Sequence, residues 1–231
     1  MMPVTAEALA EHLLAALANV RKDRLIVAIA GPPGAGKSTL AGHLADTLET
    51  GAGSGTAIVV GMDGFHLDDT VLEARGHRAR KGAPFTFDVA GLHATLARIE
   101  NGKEAVAVPV FDRSLELARA GACIVEPRHR IVLVEGNYLL LEEAPWCDLA
   151  PLFDMTIMIE SDRTTLRRRL TERWLGHGLD EAAARAKVEE NDAPNADLVQ
   201  SASRPATMVF QSPPDPEDQA TRPTGRPVPS G

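Results

Sequence analysis

The sequence has few cysteines, few aromatic residues and no long apolar segment. Only two cysteines occur among the 231 residues, Cys123 and Cys147, too few for a disulfide framework or a four-ligand zinc site. The apolar runs fall short of the ~18–20 residues that a membrane-spanning helix requires. The acidic Glu7 and Glu11 make the N-terminus unlike the basic start and apolar core of a signal peptide. We therefore expect a soluble, cytoplasmic protein with no membrane partner.

Basic residues are fewer than acidic ones. The chain has 24 Lys and Arg against 32 Asp and Glu, which gives a formal net charge of −8. Binding to nucleic-acid phosphates requires a clustered cationic surface, so we expect no nucleic-acid partner. A chain of 231 residues with 44% apolar residues can bury a substantial core without disulfides or metal ions.

Apolar periodicity predicts alternating strands and helices. Continuous apolar runs predict buried strands at residues 25–30, 56–61, 130–135 and 154–160, with a last strand at 206–210. Helical spacing predicts an N-terminal helix over about residues 5–20, then helices at 37–48, 89–100, 162–174 and 180–190. Such alternation favours an α/β three-layer sandwich, with a parallel central sheet and helices on both faces. We expect one domain over residues 1–211, with a helical lid at about 162–192.

The composition changes after residue 211. Residues 212–231 contain six prolines and almost no apolar side chains. Such a segment buries too little apolar surface to offset the entropy lost on ordering. We predict a disordered tail there.

Residues 31–38 form a phosphate-binding motif. Their sequence, Gly-Pro-Pro-Gly-Ala-Gly-Lys-Ser, matches G-x-x-x-x-G-K-[ST] between a predicted strand and a predicted helix, the context that the motif requires. In this motif the lysine reaches the β- and γ-phosphates and the serine ligates Mg²⁺. The roles fall on Lys37 and Ser38, and Thr39 offers another hydroxyl. The motif therefore predicts ATP and Mg²⁺ binding, with further contacts from Gly31, Gly34, Ala35 and Gly36.

Two acidic residues lie at predicted strand ends. Asp63 follows the strand at 56–61, which we expect to neighbour the strand before the phosphate loop. Its carboxylate could accept a proton from an acceptor hydroxyl, hold Mg²⁺ through water, or cap the turn before Leu67. Glu135 closes an apolar strand, the Walker-B arrangement, and we expect it to assist Mg²⁺; the alternative is an ordinary strand-end carboxylate.

Two basic clusters follow. Five arginines lie between residues 163 and 173, on the predicted lid, where a guanidinium could stabilise a γ-phosphate during transfer. The alternative is a solvated helix face, and we expect one or two of the arginines to act. The second cluster spans residues 75–81 and either binds an anionic acceptor or forms a mobile, solvated flap.

Together these segments resemble the phosphoribulokinase/uridine kinase family of P-loop small-molecule kinases. The resemblance covers residues 25–210 and is greatest to a bacterial subgroup of nucleoside/nucleotide kinase-like proteins that includes fructose-transport-system kinases. Residues 81–88 and 109–113 are also similar to type I pantothenate kinase. The matching segments, in chain order, are 31–38, 62–66, 81–88, 108–113, 134–137 and 163–173.

The resemblance implies a P-loop NTPase fold and ATP- and Mg²⁺-dependent phosphoryl transfer to a small metabolite, such as a sugar, a nucleoside or a pantothenate-like acceptor. It implies that Asp63 is the catalytic base, that Glu135 assists Mg²⁺, and that a homodimer is compatible with the family. The implied catalytic residues are Asp63, Lys37, Arg169 and Arg173. Further implied nucleotide contacts are Arg168 and Asn195. The implied acceptor contacts are His66, Lys81, Phe111, Asp112, Arg113 and Asn137.

The sequence departs from the family on the acceptor side. Phe85 stands where relatives carry a glutamate, and His66 is followed by Leu67-Asp68-Asp69. The sequence therefore leaves the identity of the phosphate acceptor open. Two alternatives use the same nucleotide site: an ATPase whose acceptor is water, and a nucleotide-sensing module without turnover. Neither requires the acceptor loop at residues 109–113.

Overall fold

Five parallel strands form the central sheet of the computed structural model, which describes residues 5–19, 22–53 and 55–213. The strands are β1 (Leu25–Ala30), β2 (Ala57–Gly61), β5 (Ile131–Gly136), β6 (Met155–Glu160) and β7 (Met208–Gln211). Their order across the sheet is β2-β5-β1-β6-β7. The predicted α/β architecture with a parallel sheet is confirmed. Residues 214–231 lie outside the described residues, so disorder there stays a prediction.

Helices cover both faces of this sheet. On one face lie α1 (Ala6–Asn19), α2 (Lys37–Ala52) and α5 (Arg163–Gly176), which bury leucines against β1 and β6. On the other face lies α4 (Val89–Asn101), together with a 3₁₀ segment at Trp146–Leu152. Strand β1 is buried along its whole length, as a strand covered on both faces must be.

Side-chain caps fix where several helices begin. The carboxylates of Asp88, Asp162 and Asp180 accept hydrogen bonds from backbone N–H groups in the first turns of α4, α5 and α6 (Glu181–Lys187). Helix α4 ends at Asn101, and the following Gly102 has a left-handed φ of 68°. Among the described residues, no helix is both long and apolar enough to span a membrane.

Two details differ from the sequence-based expectations. Strand β2 does not neighbour β1, because β5 lies between them and pairs with both. A buried apolar run does not reveal which strand is central. The helical segment that begins with α5 also continues beyond residue 192: a π turn (Val188–Asp192) leads into α7 (Ala193–Ala202). Pro194 lies in the first turn of α7, where its missing N–H costs no helix hydrogen bond.

A separate β-hairpin packs beside the end of β2. Strands β3 (Val106–Asp112) and β4 (Leu117–Val125) pair in antiparallel register and form a two-stranded sheet. The hairpin packs against the 3₁₀ turn Met62–Phe65, which follows β2. A Cβ atom at Gly64 would lie 2.4 Å from the carbonyl oxygen of Pro109, so only glycine permits this approach.

We predict that Gly64→Ala destabilises the protein by about 1–3 kcal/mol, because the new methyl group must push the hairpin away. Gly42→Ala is the matched control, since a Cβ there meets no atom within 4 Å inside α2. That substitution should raise stability by up to ~1 kcal/mol through helix propensity. Urea unfolding of both variants measures the difference. Equal stability of the two variants would contradict the packing argument.

Candidate active site

The loop at residues 31–38 joins the buried strand β1 to the N-terminus of α2. Gly34 and Gly36 have φ values of 80° and 89°, which other residues adopt only with strain. Gly36 precedes α2 without a side-chain cap. The first N–H groups of a helix have no intrahelical partner, so this N-terminus is suited to binding an anion.

Lys37, the first residue of α2, carries a buried ammonium group at the end of this loop. Only 8% of the residue is exposed, and Nζ donates a hydrogen bond of 2.9 Å to the carbonyl oxygen of Pro32. Burial lowers the pKa of Lys37 to about 8, although the carboxylates of Glu135 and Asp63 oppose that shift. An anionic ligand beside Nζ would therefore stabilise the charged form.

Glu135 ends β5 beside the hydroxyl group of Ser38. Burial is the largest cause that raises the pKa of Glu135, and the Asp63 carboxylate adds to it. Lys37 and a hydrogen bond from Ser38 act in the opposite direction. This set of oxygen atoms suits Mg²⁺, a hard cation that prefers oxygen ligands and is commonly completed by water and substrate phosphates. No group of three or more His, Cys, Asp or Glu residues in the described part of the chain could by itself hold a metal ion.

Two cavities meet at Asp63. The first, about 560 Å³, follows the phosphate loop and α5. The second, about 350 Å³, lies between the hairpin, the segment after α3 (Asp69–Ala74) and the lid, which comprises α5, α6, the π turn and α7. The residues that line both cavities are Pro33, Asp63, Arg113, Asn137 and Arg173. Arg113 Nη2 lies 3.2 Å from Asp63 Oδ2, so the hairpin contributes a cation at the junction.

Most of the predicted nucleotide contacts line the first cavity. They are Gly34, Ala35, Gly36, Lys37, Ser38, Thr39, Arg169 and Arg173. Gly31, the first residue of the loop, packs against β6. A Cβ atom at Gly31 would be 2.9 Å from the carbonyl oxygen of Ile159. Arg168 lines neither cavity and pairs with Glu172 one turn along α5, at 3.3 Å. Successive helix residues point in different directions, which separates Arg168 from Arg169.

Residues far apart in the sequence complete the first cavity. Ala6, His43, Phe210, Ser212 and Pro213 also line it. Arg169 donates hydrogen bonds to the Ser212 hydroxyl at 2.8 Å and to the Pro213 carbonyl oxygen at 2.9 Å. The sequence did not indicate these residues, because the spacing of apolar residues does not reveal that the start of α1 and the end of β7 lie at the same cavity.

Five of the six predicted acceptor contacts line the second cavity: His66, Lys81, Phe111, Arg113 and Asn137. The His66 ring lies between Phe87 and Phe111, with centroids 4.0 and 4.9 Å away. Burial lowers the pKa of His66, which favours the neutral imidazole. Its Nδ1 lies 2.8 Å from the backbone oxygen of Asp63. His66 therefore connects the aromatic wall to the junction.

Asp112, the sixth, does not line this cavity, and its contact with the acceptor stays a prediction. Its carboxylate accepts hydrogen bonds from the backbone N–H and hydroxyl of Ser114, at 3.0 and 2.6 Å. It also lies 3.2 Å from Arg119 Nε. An aspartate that opens a tight loop commonly bonds to the backbone in this way, so Asp112 shapes the hairpin turn.

Lys81 and Asn195 make contacts that the sequence did not indicate. The ammonium of Lys81 is already paired, 2.7 Å from Asp69 Oδ1, and it donates to the backbone oxygen of Glu116 at 2.7 Å. Asn195 lines the second cavity and not the first, and its contact with the nucleotide stays a prediction. The continuation of the lid into α7 directs Asn195 toward Gly82, with Nδ2 3.4 Å from the carbonyl oxygen.

We predict that Lys37→Met stabilises the ligand-free protein at pH 7 by roughly 1–3 kcal/mol, because the buried ammonium is protonated more readily in the unfolded chain. Between about pH 8 and the ordinary lysine pKa, the unfolded chain binds more protons, so wild-type stability rises with pH. The advantage of the variant should therefore shrink over that range. Urea unfolding at several pH values measures it, with the exposed Lys103→Met as control. An advantage that does not change with pH would contradict the assignment.

The chain resembles known proteins in sequence and in structure. The chain is 35% identical over 201 residues to "Uncharacterized protein YggC" of Escherichia coli, covering 87% of this chain and 83% of that one. It is 34% identical over 199 residues to "Putative uridine kinase C227.14" of Schizosaccharomyces pombe, covering 82% and 84%. A crystal structure described as a "putative fructose transport system kinase" from Silicibacter is 42% identical, with a TM-score of 0.83 and coverage of 89% and 98%.

No protein-family model matches the chain. The relatives nevertheless match it over most of their own length, and the crystal structure has a similar fold. The chain therefore belongs to the phosphoribulokinase/uridine kinase family of P-loop small-molecule kinases.

Proposed function

We propose that the chain transfers the γ-phosphoryl group of ATP, with Mg²⁺, to a hydroxyl group of a small metabolite in the second cavity. The observation that carries this proposal is the junction of the two cavities at Asp63. In-line transfer requires the acceptor and the leaving group on opposite sides of the phosphorus atom. Two cavities that share one carboxylate supply that arrangement.

The first cavity is suited to the triphosphate. The N-terminus of α2 and the buried ammonium of Lys37 offer positive charge to the phosphate oxygens. Ser38 and Glu135 are the residues that would hold Mg²⁺, and the bound ion would neutralise charge on the β- and γ-phosphates. Arg169 and Arg173 reach the same cavity from the lid and would stabilise the charge on the transferred group.

Asp63 is suited to activating the acceptor. As the acceptor oxygen bonds to phosphorus, its O–H bond breaks and the proton passes to the Asp63 carboxylate, while ADP leaves with the electron pair of the broken P–O bond. Arg113, 3.2 Å from that carboxylate, orients it. Closure of the lid would exclude water, which otherwise competes as acceptor.

The second cavity favours a small polar metabolite with an apolar face. His66, Phe87 and Phe111 form an aromatic wall, and Asn137 and Arg113 add polar groups. The names of the relatives refer to uridine and to fructose transport, and a nucleoside or a sugar would suit these groups. A water-using ATPase or a nucleotide sensor would need no such cavity.

We predict that Asp63→Asn lowers acceptor-dependent transfer by about 10²–10⁴-fold, because the amide cannot take the proton. ADP release with Mg·ATP over a panel of sugars, nucleosides and vitamin precursors measures this loss. Nucleotide binding by the variant, followed by titration calorimetry, should persist. Near-normal transfer by Asp63→Asn with any stimulating acceptor would show that another group is the base.

We also predict that Arg173→Ala lowers the rate of transfer on the order of 10²-fold, since this side chain lines both cavities. Arg167→Ala on the same helix is the matched control, because Arg167 pairs with Glu189 at the surface, at 2.8 Å. Its rate should stay within about twofold of wild type. Equal losses in the two variants would indicate a general effect on the lid.

A further inference from the structure

Two buried polar residues occupy the π turn of the lid. Asn191 and Asp192 are only 5% and 4% exposed, although neither reaches the phosphate loop. A π turn widens the helix by one residue and commonly occurs at functional sites. Here it places two consecutive buried side chains against two different parts of the protein.

Asp192 holds the end of α5. Its Oδ2 accepts a hydrogen bond of 2.6 Å from Trp174 Nε1, and its Oδ1 lies 3.5 Å from Arg173 Nη2. Arg173 also lies over the Trp174 ring, 5.1 Å from its centroid. A buried carboxylate and an indole ring together therefore fix the direction of the arginine that lines both cavities.

Asn191 holds the opposite wall of the second cavity. Its Oδ1 accepts from Arg80 Nε at 3.0 Å, and its Nδ2 donates to the backbone oxygen of Lys81 at 3.0 Å. An arginine can only donate and a carbonyl can only accept, so these partners fix the orientation of the amide. Both the oxygen and the nitrogen of the Asn191 amide therefore bond to the same short segment.

This short segment, residues 75–82, is called here the basic segment. It makes further contacts at its last residue, Gly82. Tyr138 Oη donates a hydrogen bond of 2.5 Å to the backbone oxygen of Gly82, and Asn195 Nδ2 lies 3.4 Å from the same oxygen. Gly76 and Gly82 have φ values of 68° and 97°, a left-handed conformation that glycine adopts without strain.

We propose that Asn191 and Asp192 are positioning residues that couple the lid arginine Arg173 to the basic segment. Their Cα atoms are about 3.8 Å apart along a rigid turn, so a displacement of one is transmitted to the other. When a nucleotide draws Arg173 toward its phosphates, the π turn moves with it and orders the basic segment against the second cavity. A bound nucleotide thus strengthens the contacts that hold the acceptor wall, an inference that rests on the proposed function.

Hydrogen–deuterium exchange of the full chain tests this coupling. The probe is the non-hydrolysable analogue β,γ-imido-ATP with Mg²⁺. In the wild type we expect the analogue to slow exchange both in the phosphate loop and in the basic segment. In Asn191→Ala the analogue should still protect the phosphate loop. The slowing of exchange that the analogue causes in the basic segment, measured against the same variant without the analogue, should fall on the order of tenfold.

Two matched controls separate coupling from general damage to the lid. Glu189→Ala changes a surface residue of the same π turn, and Arg75→Ala removes an exposed arginine of the basic segment. Both should retain the wild-type response. Arg80→Ala removes one of the two Asn191 contacts from an exposed position, so it tests the coupling even if Asn191→Ala does not fold. We expect it to lose part of the protection of the basic segment.

The outcomes distinguish this coupling from the proposed function. Undiminished protection of the basic segment in both Asn191→Ala and Arg80→Ala would overturn the coupling while nucleotide binding stands. The same would follow from an equal loss in the Glu189→Ala and Arg75→Ala controls. A wild-type phosphate loop that the analogue does not protect would contradict the proposed function, and the coupling with it.

Discussion

Three charged groups share a buried region at the carboxyl ends of β1, β5 and β2. Lys37 follows β1, Glu135 ends β5, and Asp63 follows β2. Parallel strands end at the same edge of a sheet, so the topology brings these groups together without any local sequence signal. Burial disfavours the charged forms of Lys37 and Glu135, which lowers the pKa of Lys37 and raises that of Glu135. The site is therefore prepared for a ligand that supplies both phosphate oxygens and a divalent cation.

The remainder of the fold brings two arginines to this region from opposite sides. The hairpin carries Arg113 to Asp63, and its close approach depends on the absence of a side chain at Gly64. The lid carries Arg173, which is held by Asp192 and Trp174. Because the same lid also contacts the basic segment through Asn191, movement of one cavity wall affects the other. This linkage explains physically how an acceptor site could depend on the nucleotide.

The sequence predicted the parts whose signal is local. The phosphate loop and the strands of the central sheet depend on spacing within about ten residues, and the structure contains them where they were expected. The parts that depend on tertiary contacts were not predictable. Insertion of β5 between β1 and β2 is a property of the sheet, and the π turn shifts the register that carries Asn195 into the second cavity. Asp112 matches a family pattern, yet its nearest hydrogen-bond partners lie in its own turn.

Following the labelled γ-phosphoryl group tests the central claim most directly. The purified chain would be incubated with Mg²⁺, ATP radiolabelled at the γ-phosphate and a fractionated extract of small metabolites, and the products would be separated by chromatography. The account predicts that the label appears in an organic phosphate ester from one fraction, faster than it appears in inorganic phosphate. Label that appears only in inorganic phosphate, at a rate that no fraction changes, would contradict it.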